Sequence, residues 1–290
     1  MQIGLHVANF TFPGGAPTLA EDLTRIATTA EATGFARLSV MDHLWQISMV
    51  GPETDPMLEA YTALGFLAAK TTKIELLAWV TAVVYREPGL LAKAVTTLDV
   101  LSGGRAWLGI GAAWNGDESA GLGLPFPSTS ERFERLEEAL QICHQMWSEN
   151  DGAYAGTHYR LGRTLNSPQS LRRPHPPILI GGAGEKKTLR LVAQYADACN
   201  LFASPDLPHK LEVLKRHCDD VGRDYAEIEK TVMGPMDIGA DGEKVDEFVE
   251  TLRGYADLGI QEYHGAPADY WTLTPLEIIG EKVIPAVAGF

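Results

Sequence analysis

Short apolar runs alternate with amphipathic stretches eight times along this chain, and no other feature restricts the fold so sharply. The runs are Ile3 to Ala8, Arg37 to Met41, Lys73 to Val80, Ala106 to Ile110, Ile178 to Ile180, Ala198 to Phe202, Lys230 to Met233 and Ile260 to His264. Strands that bury only one face alternate polar and apolar residues, whereas most of these runs are close to continuously apolar. Between them lie segments with helical spacing at 18–34, 58–70, 88–101, 187–195, 210–221, 245–258 and 275–287, and a longer one opening at Ser128. Strands buried on both faces and joined by helices make a parallel sheet. Eight such units with no dinucleotide fingerprint predict an α/β fold of the closed (β/α)8 TIM barrel type. The 290 residues suit one domain over 1–290, since such barrels need about 250.

Local signals mark the boundaries. Thr18-Leu-Ala-Glu21 and Ser128-Thr-Ser-Glu131 read as capping boxes, and Gly34 and Gly103-Gly104 as helix stops. Phe133, Leu136, Leu140, Cys143, Met146 and Trp147 form an apolar stripe on the fourth helix. After it, Tyr154 to Leu161 reads as a small hairpin and an extended Pro-rich stretch runs to Pro177, so a small insertion follows the fourth helix.

Charge narrows the function. Lys and Arg total 24 against 38 Asp and Glu, a formal charge of −14, which argues against a nucleic-acid surface and a polybasic membrane patch. Cys143, Cys199 and Cys218 lack CxxC spacing and suit a reducing compartment. The first residues enter a strand without a signal-peptide pattern, and no run approaches the roughly 18 apolar residues of a membrane span. A cytoplasmic protein is expected.

In a barrel, ligands bind where the strands end. Asp42-His43 closes the second run; the carboxylate and imidazole there can orient a ring or move a proton, or else cap a turn and pack on the rim. Gly109-Ile-Gly-Ala-Ala-Trp-Asn115 closes the fourth, where missing side chains would let a flat or phosphorylated molecule reach backbone amides. Gly181-Gly-Ala-Gly184 lies between a strand and a helix, and serves equally as a phosphate turn or a tight turn needing positive φ. Lys186, Lys187 and Arg190 crowd the start of that helix, where they oppose its dipole unless an anion binds. Trp45, Trp79, Trp107, Trp114 and Trp271 fall near strand ends or in loops; several at one mouth would suit a flat ring system, while packing is the commoner use. His6, His175 and His264 lack metal-binding spacing, so no metal is expected, and no GxSxG, P-loop or paired metal carboxylate is present.

At these residues the chain resembles the luciferase-like monooxygenase superfamily, and within it the oxidoreductases that use the deazaflavin coenzyme F420. The resemblance covers nearly the whole chain. It rests on Asp42-His43-Leu-Trp45, on Thr81 to Pro88 leading into Leu91 to Arg105, on Leu108 to Asn115, on Glu131 to Glu138, on Pro174 to Gly182 and on Thr188 to Val192. It implies a (β/α)8 barrel with the deazaflavin ring in its mouth, usually in a homodimer, and a bulge with a non-proline cis peptide near Ala78-Trp79. It further implies that Asp42, Ala78, Trp79 and Thr81 contact the cofactor. Gly111, Ala112 and Asn115 form a second cofactor loop, Gly181, Gly182 and Gly184 the phosphate turn, and His43 carries the acid/base role. One departure is that the sugar-phosphate dehydrogenase branch has an acidic residue in the loop after the fourth strand, where this chain has a shorter Ala112-Ala-Trp-Asn115. That argues against glucose-6-phosphate as substrate.

The expected activity is hydride transfer between F420 and a small organic molecule. F420 carries an acidic oligoglutamate tail that the Lys186, Lys187, Arg190 cluster would meet. An FMN-dependent monooxygenase supplied with reduced flavin, and a barrel that binds F420 without catalysis, are the alternatives. The loops Phe10 to Pro17, His43 to Pro56 and Tyr263 to Thr274 are expected to line the substrate.

Overall fold

The computed structural model describes residues 1–290. Its first half contains β1 (Gln2–Val7), α1 (Leu19–Thr33), β2 (Arg37–Val40), α2 (Ala60–Ala68), β3 (Glu75–Ala78), β4 (Thr81–Ala82), α3 (Pro88–Ser102), β5 (Leu108–Gly111), α4 (Asp117–Gly121) and α5 (Thr129–Met146). A two-stranded hairpin follows, β6 (Tyr154–Ala155) against β7 (Arg160–Leu161). The alternation then resumes with β8 (Ile178–Gly181), α6 (Thr188–Tyr195), β9 (Ala198–Phe202), α7 (Leu207–Val221), β10 (Glu229–Met233), α8 (Val245–Asp257) and β11 (Glu262–Gly265). The chain closes with α9 (Thr274–Ile278), which runs through a π-helical turn into α10 (Ile284–Val287).

All pairings of the large sheet are parallel, in the order β3-β2-β1-β11-β10-β9-β8-β5-β4. The Leu76 amide donates to the Arg105 carbonyl and the Trp107 amide to the Leu76 carbonyl, at 2.9 and 3.0 Å, which joins β3 to the segment leading into β5 and closes the barrel. The third strand is not continuous, as Lys73 to Val80 predicts. It breaks at Trp79-Val80, whose peptide bond is cis, and resumes as β4.

Two apolar cores result. A large one fills the layer between strands and helices, while Leu77, Trp79, Trp107, Leu179 and Ala198 form a small one inside the barrel. The Thr18 capping box does not form, because the Thr18 hydroxyl donates to the Asp22 carboxylate and the Gly15 carbonyl. Ser128 does cap α5 by accepting from the Glu131 amide, but the Glu131 side chain turns to Arg135. The insertion is held to α5 by Glu138, whose carboxylate accepts the amides of Thr157, His158 and Tyr159.

Candidate active site

A cavity of about 340 Å³ opens at the C-terminal ends of the strands. Asp42, His43, Trp79, Thr81, Gly111, Ala112, Asn115, Gly181 and Gly182 all line it; Ala78 and Gly184 do not. Met41, Ile47, Met49, Phe202 and Met233 make much of the lining apolar, and no Lys or Arg faces in. Of the loops expected to bound the substrate, 43–56 contributes His43, Ile47 and Met49, whereas 10–17 and 263–274 contribute nothing.

His43 is fixed from one side. Its Nδ1 lies 2.5 Å from Oε1 of Glu118, and Oε2 of the same carboxylate accepts the amides of Leu44 and Trp45 at 2.7 and 3.2 Å. Burial alone would raise the Glu118 carboxyl, but hydrogen bonds from His43, Tyr85 and the Leu44 amide outweigh it and hold it below its usual range. An ionised carboxylate only accepts, so His43 donates its Nδ1–H to Glu118, and Nε2 is the ring nitrogen left without a protein partner. The Trp114 ring meets the imidazole edge-on at 5.4 Å. The acidic partner missing from Ala112-Ala-Trp-Asn115 is therefore present three residues further on. The sequence pattern does not single out Glu118; the signal lies at Asn115, whose side chain accepts the Asp117 amide and turns the chain into the short α4.

Asp42 is already engaged. Its two oxygens accept from both terminal nitrogens of Arg86 at 2.8 Å, and one also takes the Ala82 amide at 2.9 Å. It thus clamps the restart of the interrupted strand, where Thr81 also hydrogen-bonds the Tyr61 hydroxyl at 2.8 Å. The glycines have a similar purpose. A Cβ on Gly109 would collide with the Ala78 carbonyl, and one on Gly111 or Gly181 would sit 3.0 Å from the Val80 methyls. Those glycines make room for the bulge, and Gly111 and Gly181 also line the cavity. Gly182 differs: its φ of +126° is one that side chains rarely tolerate.

Beyond Gly182 the amides of Ala183, Gly184, Glu185, Lys186 and Lys187 have no acceptor within the protein. Lys187 extends over Phe133 and reaches Ser130, and a groove beside it is lined by Lys186, Lys187, Arg190, Glu134 and Glu137. Phe133 borders both this groove and the cavity. The tryptophans, by contrast, do not gather at the mouth. Trp79 and Trp114 line the cavity, Trp45 packs against Gly121, Trp271 lies beside Phe12 and Tyr270, and Trp107 sits at the far end of the barrel under Arg37. No His, Cys, Asp and Glu cluster suited to a metal ion is found.

The arrangement can hold a ring in an apolar cavity, bind an anion on free amides and move a proton at His43. Known proteins resemble the chain in sequence and in fold. Over 220 residues the chain is 30% identical to an F420-dependent glucose-6-phosphate dehydrogenase of Kineococcus radiotolerans, covering 72% of this chain and 62% of that one. Over 160 residues it is 30% identical to an FMNH2-dependent dimethylsulfone monooxygenase of Pseudomonas putida, covering 55% and 42%. The coenzyme F420-dependent tetrahydromethanopterin reductase of Methanopyrus kandleri superimposes with a TM-score of 0.79 over 98% of both chains at 17% identity, a likeness of fold. Relatives thus use either F420 or FMN. The sequence profile of the luciferase-like monooxygenases matches residues 1–282, and the chain belongs to that family.

Proposed function

We propose that this protein is an F420-dependent oxidoreductase that transfers a hydride between the deazaflavin and a neutral organic substrate. The observation that carries the reading is the run of amides from Ala183 to Lys187 that lack acceptors, adjoining in sequence the groove lined by Lys186, Lys187 and Arg190. Amides at a turn suit one phosphate, and the groove beyond suits a further acidic chain, which F420 has and FMN lacks. The cavity volume fits a flat ring system, at the lower end of ligand pockets. Asn115, Gly182 and the turn would hold the cofactor, which supplies the carbon that gives or takes the hydride. His43 then handles the proton that accompanies hydride at a carbonyl or alcohol oxygen, with Glu118 fixing its tautomer.

The lining also bears on the substrate. A phosphorylated sugar would meet no cation in the cavity, so an uncharged alcohol, ketone or conjugated carbonyl compound is the better fit. The deciding experiment is fluorescence titration with F420 and with FMN. F420 is expected to bind at least about tenfold tighter, a difference of about 1.4 kcal/mol. Equal or tighter binding of FMN overturns the reading in favour of a flavin monooxygenase, and tight F420 binding with no turnover on neutral carbonyl compounds favours a cofactor-holding barrel.

A further inference from the structure

Behind the cavity, the inside of the barrel holds an unbroken hydrogen-bonded column. His6, on the cavity wall, places Nδ1 2.7 Å from the Ser39 hydroxyl. The same hydroxyl lies 2.7 Å from Nε2 of His264, and Nδ1 of His264 lies 2.7 Å from Oε1 of Glu262. The other Glu262 oxygen accepts from Arg37, which is also shared by Glu75 and Glu229. Every member from Ser39 to Glu262 is buried. Nε2 of His6 has no partner within the protein and keeps accessible surface on the cavity side.

The column is built into the fold. A Cβ at Gly4 would collide with the His264 ring and the Glu262 carboxylate, so glycine makes the room they occupy. Trp79 stacks on His264 with centroids 3.8 Å apart and planes 6° from parallel, fixing the ring. Buried polar groups cost stability unless satisfied, and barrel interiors are ordinarily filled by branched apolar side chains. Neither the capping of a strand nor the packing of the core requires this column.

We propose that His6, Ser39, His264 and Glu262 form a relay that carries a proton between the reaction cavity and the interior carboxylate. The inference rests on the reading of the cavity as a hydride-transfer site, where a proton must accompany the hydride. With Glu262 ionised, His264 donates Nδ1–H to it, Ser39 donates to Nε2 of His264, His6 donates Nδ1–H to Ser39, and Nε2 of His6 faces the cavity as a base. When Nε2 accepts the proton that His43 has taken from the substrate and releases into the cavity, the His6 Nδ1 proton passes to Ser39, the Ser39 proton to Nε2 of His264, and the His264 Nδ1 proton to Glu262. One N–H bond at His43 breaks, one O–H bond at Glu262 forms, and His6 and His264 finish neutral with their tautomers exchanged. The reverse sequence delivers a proton.

The electrostatics suit this traffic. Burial, opposed by Arg37 and assisted by Glu75, places the Glu262 carboxyl at about 7. Burial, with the neighbouring His264 and His43, depresses His6 to about 3, and burial with Arg37 depresses His264, so neither ring becomes a cation near neutrality. The charged groups around Glu262 are Arg37 on β2, Glu75 on β3 and Glu229 on β10; around His6 they are the titratable rings of His264 and His43.

Nuclear magnetic resonance of protein labelled with 15N at its eight histidines tests the relay without any cofactor. Between about pH 5.5 and about pH 8.5, His6 and His264 are expected to exchange tautomers together, both remaining neutral, with one midpoint near that of Glu262. Ser39→Ala should preserve the His264 switch and abolish that of His6, and Glu262→Gln should abolish both. A His6 tautomer that is constant across the range, or that switches equally in Ser39→Ala, overturns the proposal. In turnover, Ser39→Ala should lower kcat by about tenfold or more with KM little changed and a smaller solvent isotope effect; an unaltered kcat and isotope effect counts against it. The tautomer switch appearing in a protein that prefers FMN would retain the relay and discard the F420 reading alone.

Discussion

Glu118 grips His43 through one carboxylate oxygen, 2.5 Å from the ring Nδ1, and grips the backbone that follows His43 through the other. Position and protonation of the imidazole are thus set by a single residue on α4. Glu118→Gln can still accept the His43 proton, but its amide nitrogen then faces the Leu44 and Trp45 amides, donor against donor. The variant should lose about 1–3 kcal/mol of stability and about 10²-fold in kcat. The pH dependence has a definite sign. Because folding lowers this carboxyl below its ordinary 4.5, its contribution is present above that pH and lost as the pH falls through the lowered value. Wild type and variant should therefore differ most near neutrality and converge in acid, as thermal melts would register. A constant gap would remove Glu118 ionisation from the account. His43→Ala should cut kcat to a similar degree while cofactor affinity stays within a few-fold; if affinity falls and single-turnover transfer survives, the ring only packs.

Gly181 and Val80 are predicted to be coupled. A methyl at Gly181 would sit 3.0 Å from both Val80 methyls, which the break between β3 and β4 holds against β8. Gly181→Ala should cost about 1–3 kcal/mol by overpacking, and Val80→Ala should relieve it, leaving a coupling energy of about 1 kcal/mol in a double-mutant cycle. Additive effects in urea melts would show that the glycine does not make room for the bulge.

Asp42→Asn distinguishes two roles for this carboxylate. As the partner of Arg86 and the Ala82 amide, it stabilises the interrupted strand, and removing its charge from the buried pair should cost about 3 kcal/mol. Stability and cofactor affinity should fall together. A variant with an unchanged melt and weakened binding would instead place the carboxylate directly on the ligand.

Much of this architecture was legible in the chain. Apolar runs of three to eight residues between helical segments dictate a parallel barrel, and the strand ends point to Asp42, His43, Gly111 and Gly182 on one cavity wall. Three things were hidden, each a contact between residues distant in sequence. Glu118 carries no local signal, and only the fold of α4 brings it to His43. Gly109, Gly111 and Gly181 read only as ligand-facing, and the room they also make for the Trp79-Val80 break does not show in the sequence. His6 and His264 read as unrelated histidines because only the pairing of β1 with β11 and β2 brings them to Ser39. Local pattern records which residues are buried; it does not record what a buried polar group meets.

The last prediction concerns the basic groove. Lys186, Lys187 and Arg190 stand beside amides that lack acceptors, with Glu134 and Glu137 across from them. Were the amides alone responsible for binding, F420 and FMN would profit equally, since each brings a phosphate. An acidic tail adds attraction over several ångströms that salt can screen, whereas contacts buried in the cavity are screened little. Replacing the three cations together with Glu should therefore weaken F420 by about tenfold or more at low salt and leave FMN within about twofold. Raising the salt on wild type should reproduce part of the loss for F420 only. If both cofactors weaken alike, the cluster acts on the shared phosphate and gives no preference for a deazaflavin tail.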